Sequence, residues 1–255
     1  MNRFGLIGDP IAHSASPGLF ARAYGGRWPY DLIEGSDFEA SWQRFLSDYK
    51  AINITAPFKE QAFRKVAENG VLGGFGSADT SEEAIRAIGA INIAVKEADG
   101  LVHGYNSDYL GVLELLREHG FGPGSTVVVV GFGGAGKAAA AAARSLGCYT
   151  VVCNRTRHRA DIRPLEELPV LAGIADLLIY TLAFPIPELN SLPECAADDP
   201  GFSDADANAG PAILEANYRT PCLAGRPGYI SGKLWHRAQA ETGYPLMTGC
   251  PVLPF

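Results

Sequence analysis

The chain has 255 residues, 47% of them hydrophobic, with 30 Gly and 17 Pro, enough to bury the cores of two ordinary domains. A net charge of −7 argues against a broad phosphate-binding face, so no nucleic-acid partner is expected and any anionic ligand has to be held by local groups. Cys148, Cys153, Cys195, Cys222 and Cys250 are odd in number and lack CxxC spacing, which speaks against a disulfide framework or a zinc site and fits a reducing cytoplasm.

From the N-terminus, MNRFGLIGDP reaches Gly, Asp and Pro after an apolar run too short for a signal peptide, and no later stretch approaches a membrane span. A cytoplasmic protein with no membrane partner is therefore expected. Phe4 to Ile7 reads as a strand, and Ser16 with Pro17 as the N-cap and first-turn pair of a helix. Tyr30 to Ile33 is a second strand, followed by a helix whose capping box pairs Ser36 with Glu39. Ala51 to Thr55 is a third strand, and FKEQAFRKVAENG continues as a helix with Pro57 in its first turn. This alternation predicts βαβ units.

A second block opens with the helix SDYLGVLELLREHG and runs through TVVVVGFGGAGKAAAAAARSLG, YTVVCNRT, ADLLIYT and PAILEA, again strands alternating with helices and loops. The predicted class is α/β, with a first domain over 1–105 completed by 231–255 and a Rossmann-type dinucleotide-binding domain over 106–230. The C-terminal helix, Ser231 to Thr242, is expected to return to the first domain, and Pro193 to Pro211 reads as a surface loop.

Gly131, Gly133 and Gly136 form GxGxxG between a buried-strand run and an alanine-rich helix, the context that this motif requires. Such glycines permit a tight turn and bring backbone N–H groups to a pyrophosphate at the helix N-terminus. An NAD site carries an acidic residue roughly 20 positions on. Here that place is Cys153, followed by Arg155, Arg157 and Arg159 with no carboxylate before Asp161. Guanidinium groups clamp a 2′-phosphate, so NADP is expected over NAD.

In GDPIAHSASP, Ser14 and Ser16 lie beside the free N–H groups of a helix start, the makings of a small anion site. Read alone, Ser16 is a plain N-cap. Lys59 is harder to explain, because a cation at the positive end of a helix costs roughly 0.3–1 kcal/mol when exposed. Asp108, in GYNSDYLG, sits at a helix start where a carboxylate is favourable. Carbonyl reduction by a nicotinamide needs a proton donor beside the hydride, and Lys59 steadied by Asp108 meets that need.

Together GLIGDPIAHSASP, NITAPFKEQA, GAIN, GYNSDYLG, GFGGAGKA, NRTRHRA and, more loosely, GKLWHRAQ resemble the shikimate dehydrogenase family, in order along nearly the whole chain. The resemblance implies an N-terminal α/β substrate domain beside the Rossmann-type domain, and NADPH-dependent reversible reduction of 3-dehydroshikimate to shikimate in aromatic amino acid biosynthesis. It implies a catalytic pair, Lys59 and Asp108. Substrate contacts are implied at Ser14, Ser16, Thr55, Asn92, Tyr218 and Gln239. Cofactor contacts are implied at Gly131, Gly133, Gly134, Ala135, Gly136, Asn154, Arg155, Thr156, Arg159 and Gly232. A monomer or homodimer is expected.

Several places depart from the family pattern. Tyr180, Thr181 and Leu182 stand where Asn-Ala-Thr is usual, Leu234 and Trp235 where glycine and methionine border the nicotinamide, and EANY keeps Tyr218 alone of Asp-x-x-Tyr. Two alternatives stay open: a quinate or amino-shikimate dehydrogenase of the same fold, and a catalytically silent NADP-binding regulatory protein. Asp204, Asp206, Asn208 and Glu215 imitate a calcium loop, but the required glycine comes one position late, so no metal is expected.

Overall fold

The computed structural model describes residues 2–73, 81–156, 160–193 and 210–254. The chain divides into two compact units, Met1–Gly111 with Arg237–Phe255, and Val112–His236.

The first unit contains β1 (Phe4–Gly8), α1 (Ser16–Ala23), β2 (Tyr30–Glu34), α2 (Phe38–Asp48), β3 (Ala51–Ile54), α3 (Lys59–Asn69), β4 (Val71–Leu72), α4 (Glu82–Ile88), β5 (Ile93–Lys96), β6 (Val102–Tyr105) and the start of α5 (Ser107–Glu118). Its sheet has the order β2-β1-β3-β5-β6-β4. β1 pairs in parallel with β2 and β3, as helical crossovers require. β5, however, runs antiparallel to both β3 and β6, so the sheet is mixed. The hairpin closes through Glu97 N–H to Leu101 O (3.0 Å), with Gly100 at φ 81°. Its Asp-Gly turn is a hairpin signal that the βαβ reading passed over. Successive side chains point to opposite faces of a strand, and on β1 Ile7 joins one core with Phe38, Trp42, Phe45 and Phe58 while Phe4 joins another with Phe20, Tyr24 and Tyr105.

Three predicted helix starts shift. The N-cap of α1 is Ala15, with no side-chain bond; Ser14 Oγ instead takes the Ser16 N–H (3.2 Å), because the Ser14 N–H to Ile11 O turn (2.8 Å) folds Ser14 beneath the helix. Asp37, not Ser36, caps α2, accepting the Ala40 N–H (3.2 Å); a carboxylate there also meets the helix dipole. Pro57 lies before α3 rather than in its first turn. A turn closed by Phe58 N–H to Thr55 O (2.9 Å) holds it, and Lys59 becomes the first helical residue.

The second unit continues from α5 with β7 (Thr126–Val130), α6 (Gly134–Ser145), β8 (Tyr149–Cys153), β9 (Ile162–Arg163), α7 (Leu168–Ala172), β10 (Leu177–Tyr180), β11 (Ala212–Glu215), β12 (Tyr229–Ser231) and the start of α8 (Gly232–Thr248). The sheet order is β12-β11-β10-β7-β8-β9, and every pair is parallel. Parallel sheets are covered on both faces, and Val127 through Val130 are accordingly fully buried. From β7 the chain proceeds to β8 on one side and later to β10 on the other. The strand order thus reverses beside β7, which is the place where doubly wound sheets bind ligands.

α8 runs past its expected end at Thr242 to Thr248, through Pro245. Ala240, Tyr244 and Met247 enter the first unit's core beside Phe4 and Phe20, and Tyr24 Oη lies 2.8 Å from Thr248 Oγ1. Tertiary burial of this kind, more than propensity, keeps a helix intact. No helix among the described residues is long and apolar enough to cross a membrane.

Candidate active site

Lys59 Nζ lies 2.7 Å from Asp108 Oδ2, with side-chain exposures of 31% and 15%. Each is in the first turn of its helix, Lys59 on α3 and Asp108 on α5. The carboxylate is favourable at its own helix end and neutralises the cation that is unfavourable at the other. Three successive residues hold the two helix starts in place. Ala90 O accepts from Asn106 Nδ2 (2.9 Å), Ile91 N–H donates to Lys59 O (3.2 Å), and Asn92 Oδ1 accepts the Ser107 N–H (2.7 Å). Asn106 Oδ1 adds a cap at Tyr109 N–H (3.0 Å). Asn106 escaped the sequence reading, although Asn ahead of a helical run is an N-cap signal.

Asn92 is buried, with its carbonyl oxygen committed to α5, and its Nδ2 makes no hydrogen bond among the described residues. Ser14 donates to Ser16 Oγ (3.0 Å). Tyr30, also missed, donates to Asn53 Oδ1 (2.8 Å). Burial pushes the Tyr30 phenol well up, Tyr244 adds to this, and a hydrogen bond with Ser16 opposes it. The side chains thus form two hydrogen-bonded pairs, Ser14 with Ser16 and Tyr30 with Asn53. Thr55 and Gln239 are half-buried in the same unit. Tyr218 belongs to the second unit, where its ring lies 5.2 Å from that of His236.

In the second unit the three motif glycines do different work. Gly131 has φ +97°, and a Cβ there would come within 2.5 Å of Thr181 Oγ1. A Cβ on Gly136 would strike the Gly131 carbonyl. Gly133 and Gly134 face open space. Turn, helix–strand packing and ligand approach are the roles such glycines play in dinucleotide sites. α6 begins at Gly134 with no side-chain cap and no acidic residue in its first turn, which leaves its first N–H groups to an anion. These residues fit a pyrophosphate.

Arg155 and Thr156 are exposed at the end of β8, where Asn154 N–H donates to Arg163 O (3.0 Å) and Asn154 Nδ2 to Thr156 O (2.8 Å). Arg157 and Arg159 lie outside the described residues. Burial pushes the Cys153 thiol up to about 12, so the residue at the usual acidic position is a neutral packing group. Gly232 is buried, and a Cβ on it would run into the Glu215 and Ala216 carbonyls. Trp235 is buried as well, whereas Leu234 is exposed. Tyr180 is fully buried in β10, donating to Phe184 O (2.7 Å). Glu215, part of the calcium-like spacing, is a buried strand residue that accepts Cys222 N–H (2.7 Å) and Leu223 N–H (3.0 Å); the acidic part of that spacing lies outside the described residues.

No protein-family model matches the chain. A shikimate dehydrogenase (NADP(+)) of Halobacterium salinarum is 34% identical over 184 residues, 69% of this chain. The match spans 64% of that relative, a little under two thirds of its length. Among solved structures, shikimate 5-dehydrogenase from Thermus thermophilus, in complex with NADP(H) and shikimate, has a TM-score of 0.74 at 26% identity, covering 100% of this chain and 96% of that one. Shikimate dehydrogenase from Thermotoga maritima has a TM-score of 0.66 at 26% identity, covering 96% and 92%. In sequence over part of its length and in fold over all of it, the chain is related to the shikimate dehydrogenase family.

Proposed function

We propose that the chain is an NADP-dependent oxidoreductase that reversibly reduces 3-dehydroshikimate to shikimate, in the cytoplasm and as a monomer or homodimer. The observation that carries this reading is the 2.7 Å pair of Lys59 and Asp108. An ammonium at a helix's positive end makes sense as a proton donor held by a carboxylate. When bound, NADPH supplies the hydride to the carbonyl carbon. Lys59 gives a proton to the carbonyl oxygen and, being partly exposed, recovers it from water. Asp108 keeps the ammonium in place and orders the neighbouring hydroxyl. In the reverse direction Lys59 takes the hydroxyl proton back.

Ser14 and Ser16 hold the substrate carboxylate, with Ser14 donating to Ser16 Oγ. Asn92 Nδ2, Thr55, Gln239 and Tyr218 bind the remaining polar groups. The glycine loop from Gly131 to Gly136, with Ala135, takes the pyrophosphate. Asn154, Arg155, Thr156 and Arg159 take the 2′-phosphate, and Gly232 borders the nicotinamide. Supporting the reading are the names of the relatives and the seven motifs of the sequence. Loss of NADPH absorbance on addition of 3-dehydroshikimate tests it, and the same assay run in reverse with shikimate and quinate tests the substrate choice.

A further inference from the structure

β10 ends beside β7, with Tyr180 opposite Val130 in the parallel ladder. The next residue, Thr181, directs both of its donors to one carbonyl: its N–H and its hydroxyl give to Val130 O at 2.9 and 2.7 Å. The N–H bond continues the ladder, and any residue but proline makes it. The hydroxyl bond is an addition of the side chain, and it fixes the rotamer of Thr181.

That rotamer sets Oγ1 against the glycine turn. A Cβ on Gly131 would lie 2.5 Å from Thr181 Oγ1 and 2.9 Å from Leu182 Cδ2, and a Cβ on Gly136 would lie 3.1 Å from the same hydroxyl oxygen. The hydroxyl therefore sits at the junction of the first and last glycines of the motif. The middle of the loop is open: a Cβ on Gly133 or Gly134 would meet nothing within 4 Å, and α6 starts without a side-chain cap. Glycine has the greatest backbone freedom of any residue, so the shape of this loop depends on what its two ends rest against. On the β8 side that is Gly131 N–H to Cys153 O (2.8 Å); on the β10 side it is Thr181.

We propose that Thr181 is a positioning residue: its hydroxyl braces the glycine turn in the shape that presents the loop's N–H groups before a dinucleotide arrives. The inference rests on the NADP assignment above. Thr181 stands where the family pattern has alanine, which carries no hydroxyl, so the brace belongs to this chain rather than to the fold. Order set in advance is entropy not lost on binding. The brace thus tightens the cofactor without touching it.

The test compares Thr181→Val, Thr181→Ala and Thr181→Ser with the wild type, in the full chain. It uses calorimetric titration with NADPH, amide hydrogen exchange over 131–136 in the free protein, and urea unfolding. Thr181→Val keeps the shape and drops the hydroxyl, whereas Thr181→Ser keeps the hydroxyl and drops the methyl. Thr181→Val and Thr181→Ala should each raise the Kd of NADPH about 3- to 10-fold, the net worth of one neutral hydrogen bond, and Thr181→Ser should stay within about twofold of the wild type. Exchange across the turn should quicken in the first two variants and not in the third. A residue that only packs behaves otherwise, lowering the unfolding midpoint when truncated and leaving the Kd where it was. An unchanged Kd in Thr181→Val and Thr181→Ala therefore overturns the inference, and so does a Thr181→Ser that binds as weakly as Thr181→Ala. If Thr181→Val fails to fold, the contrast between Thr181→Ala and Thr181→Ser decides. If the wild type binds no NADPH, the NADP assignment is what fails, and the exchange rates alone then uphold or overturn the brace.

Discussion

At the residue scale the decisive group is Lys59, whose charge is misplaced for its helix and paired at 2.7 Å with Asp108. Lys59→Ala is expected to leave the fold and NADPH binding intact while cutting turnover on the order of 10²- to 10⁴-fold, as for loss of general acid–base help. Asp108→Asn should resemble it. Because the two act as one unit, the double variant should lose much less than the product of the single losses, which steady-state kinetics on the four proteins checks. Arg155→Ala should weaken NADPH by about 1.5–3 kcal/mol, the worth of a charge-assisted bond, and NADH hardly at all; equal weakening of both would deny the phosphate contact. In the sequence only Lys59 stood out by itself, as a cation at a helix's positive end; Asp108 and Ser16 read alone as caps, and their proposed roles came from the motifs around them. The pairing of Tyr30 with Asn53 gave no such signal, since a tyrosine on a strand is ordinarily a packing residue and only the fold brings the two together.

At the element scale, the two helix starts are set by the short segment Ala90 to Asn92 and by the Asn106 cap. Asn106→Ala should cost about 1 kcal/mol of stability, the usual worth of a cap, and should lower turnover further by loosening Asp108. Denaturant unfolding and kinetics on one preparation separate the two effects. The glycine loop gives a sharper contrast. Gly136→Ala forces the Gly131 carbonyl to move and should destabilise the second unit, whereas Gly133→Ala meets open space and should leave unfolding unchanged while weakening NADPH. Equal stability losses would refute the division of roles. Helix and strand identities were readable from periodicity, but cap positions slipped by a residue where two polar candidates stood side by side, as with Ser36 and Asp37. The β5–β6 hairpin was missed because its strands are four residues each and were absorbed into a helix-and-strand alternation.

At the scale of the whole molecule, each unit has its own sheet and core, and under the proposed function this acidic chain holds its anionic ligands by local groups. NADPH at about 100 times its Kd should raise the unfolding free energy of the binding unit by about 2.7 kcal/mol, seen as a shift in the thermal transition; an absent shift would count against a dinucleotide site. The parallel order of β8, β7 and β10 brings Arg155 and Leu182 to one end of the sheet, a neighbourhood that segments far apart in the sequence do not announce. The central claim is that Lys59 transfers the proton in NADPH-dependent reduction of 3-dehydroshikimate. The most direct measurement follows NADPH absorbance after 3-dehydroshikimate is added to the wild type and to Lys59→Ala, both shown by calorimetry to bind NADPH. Rapid oxidation by the wild type and a loss of at least about 10²-fold in the variant is the predicted result, and equal rates in the two proteins, or no oxidation above background in the wild type, would contradict it.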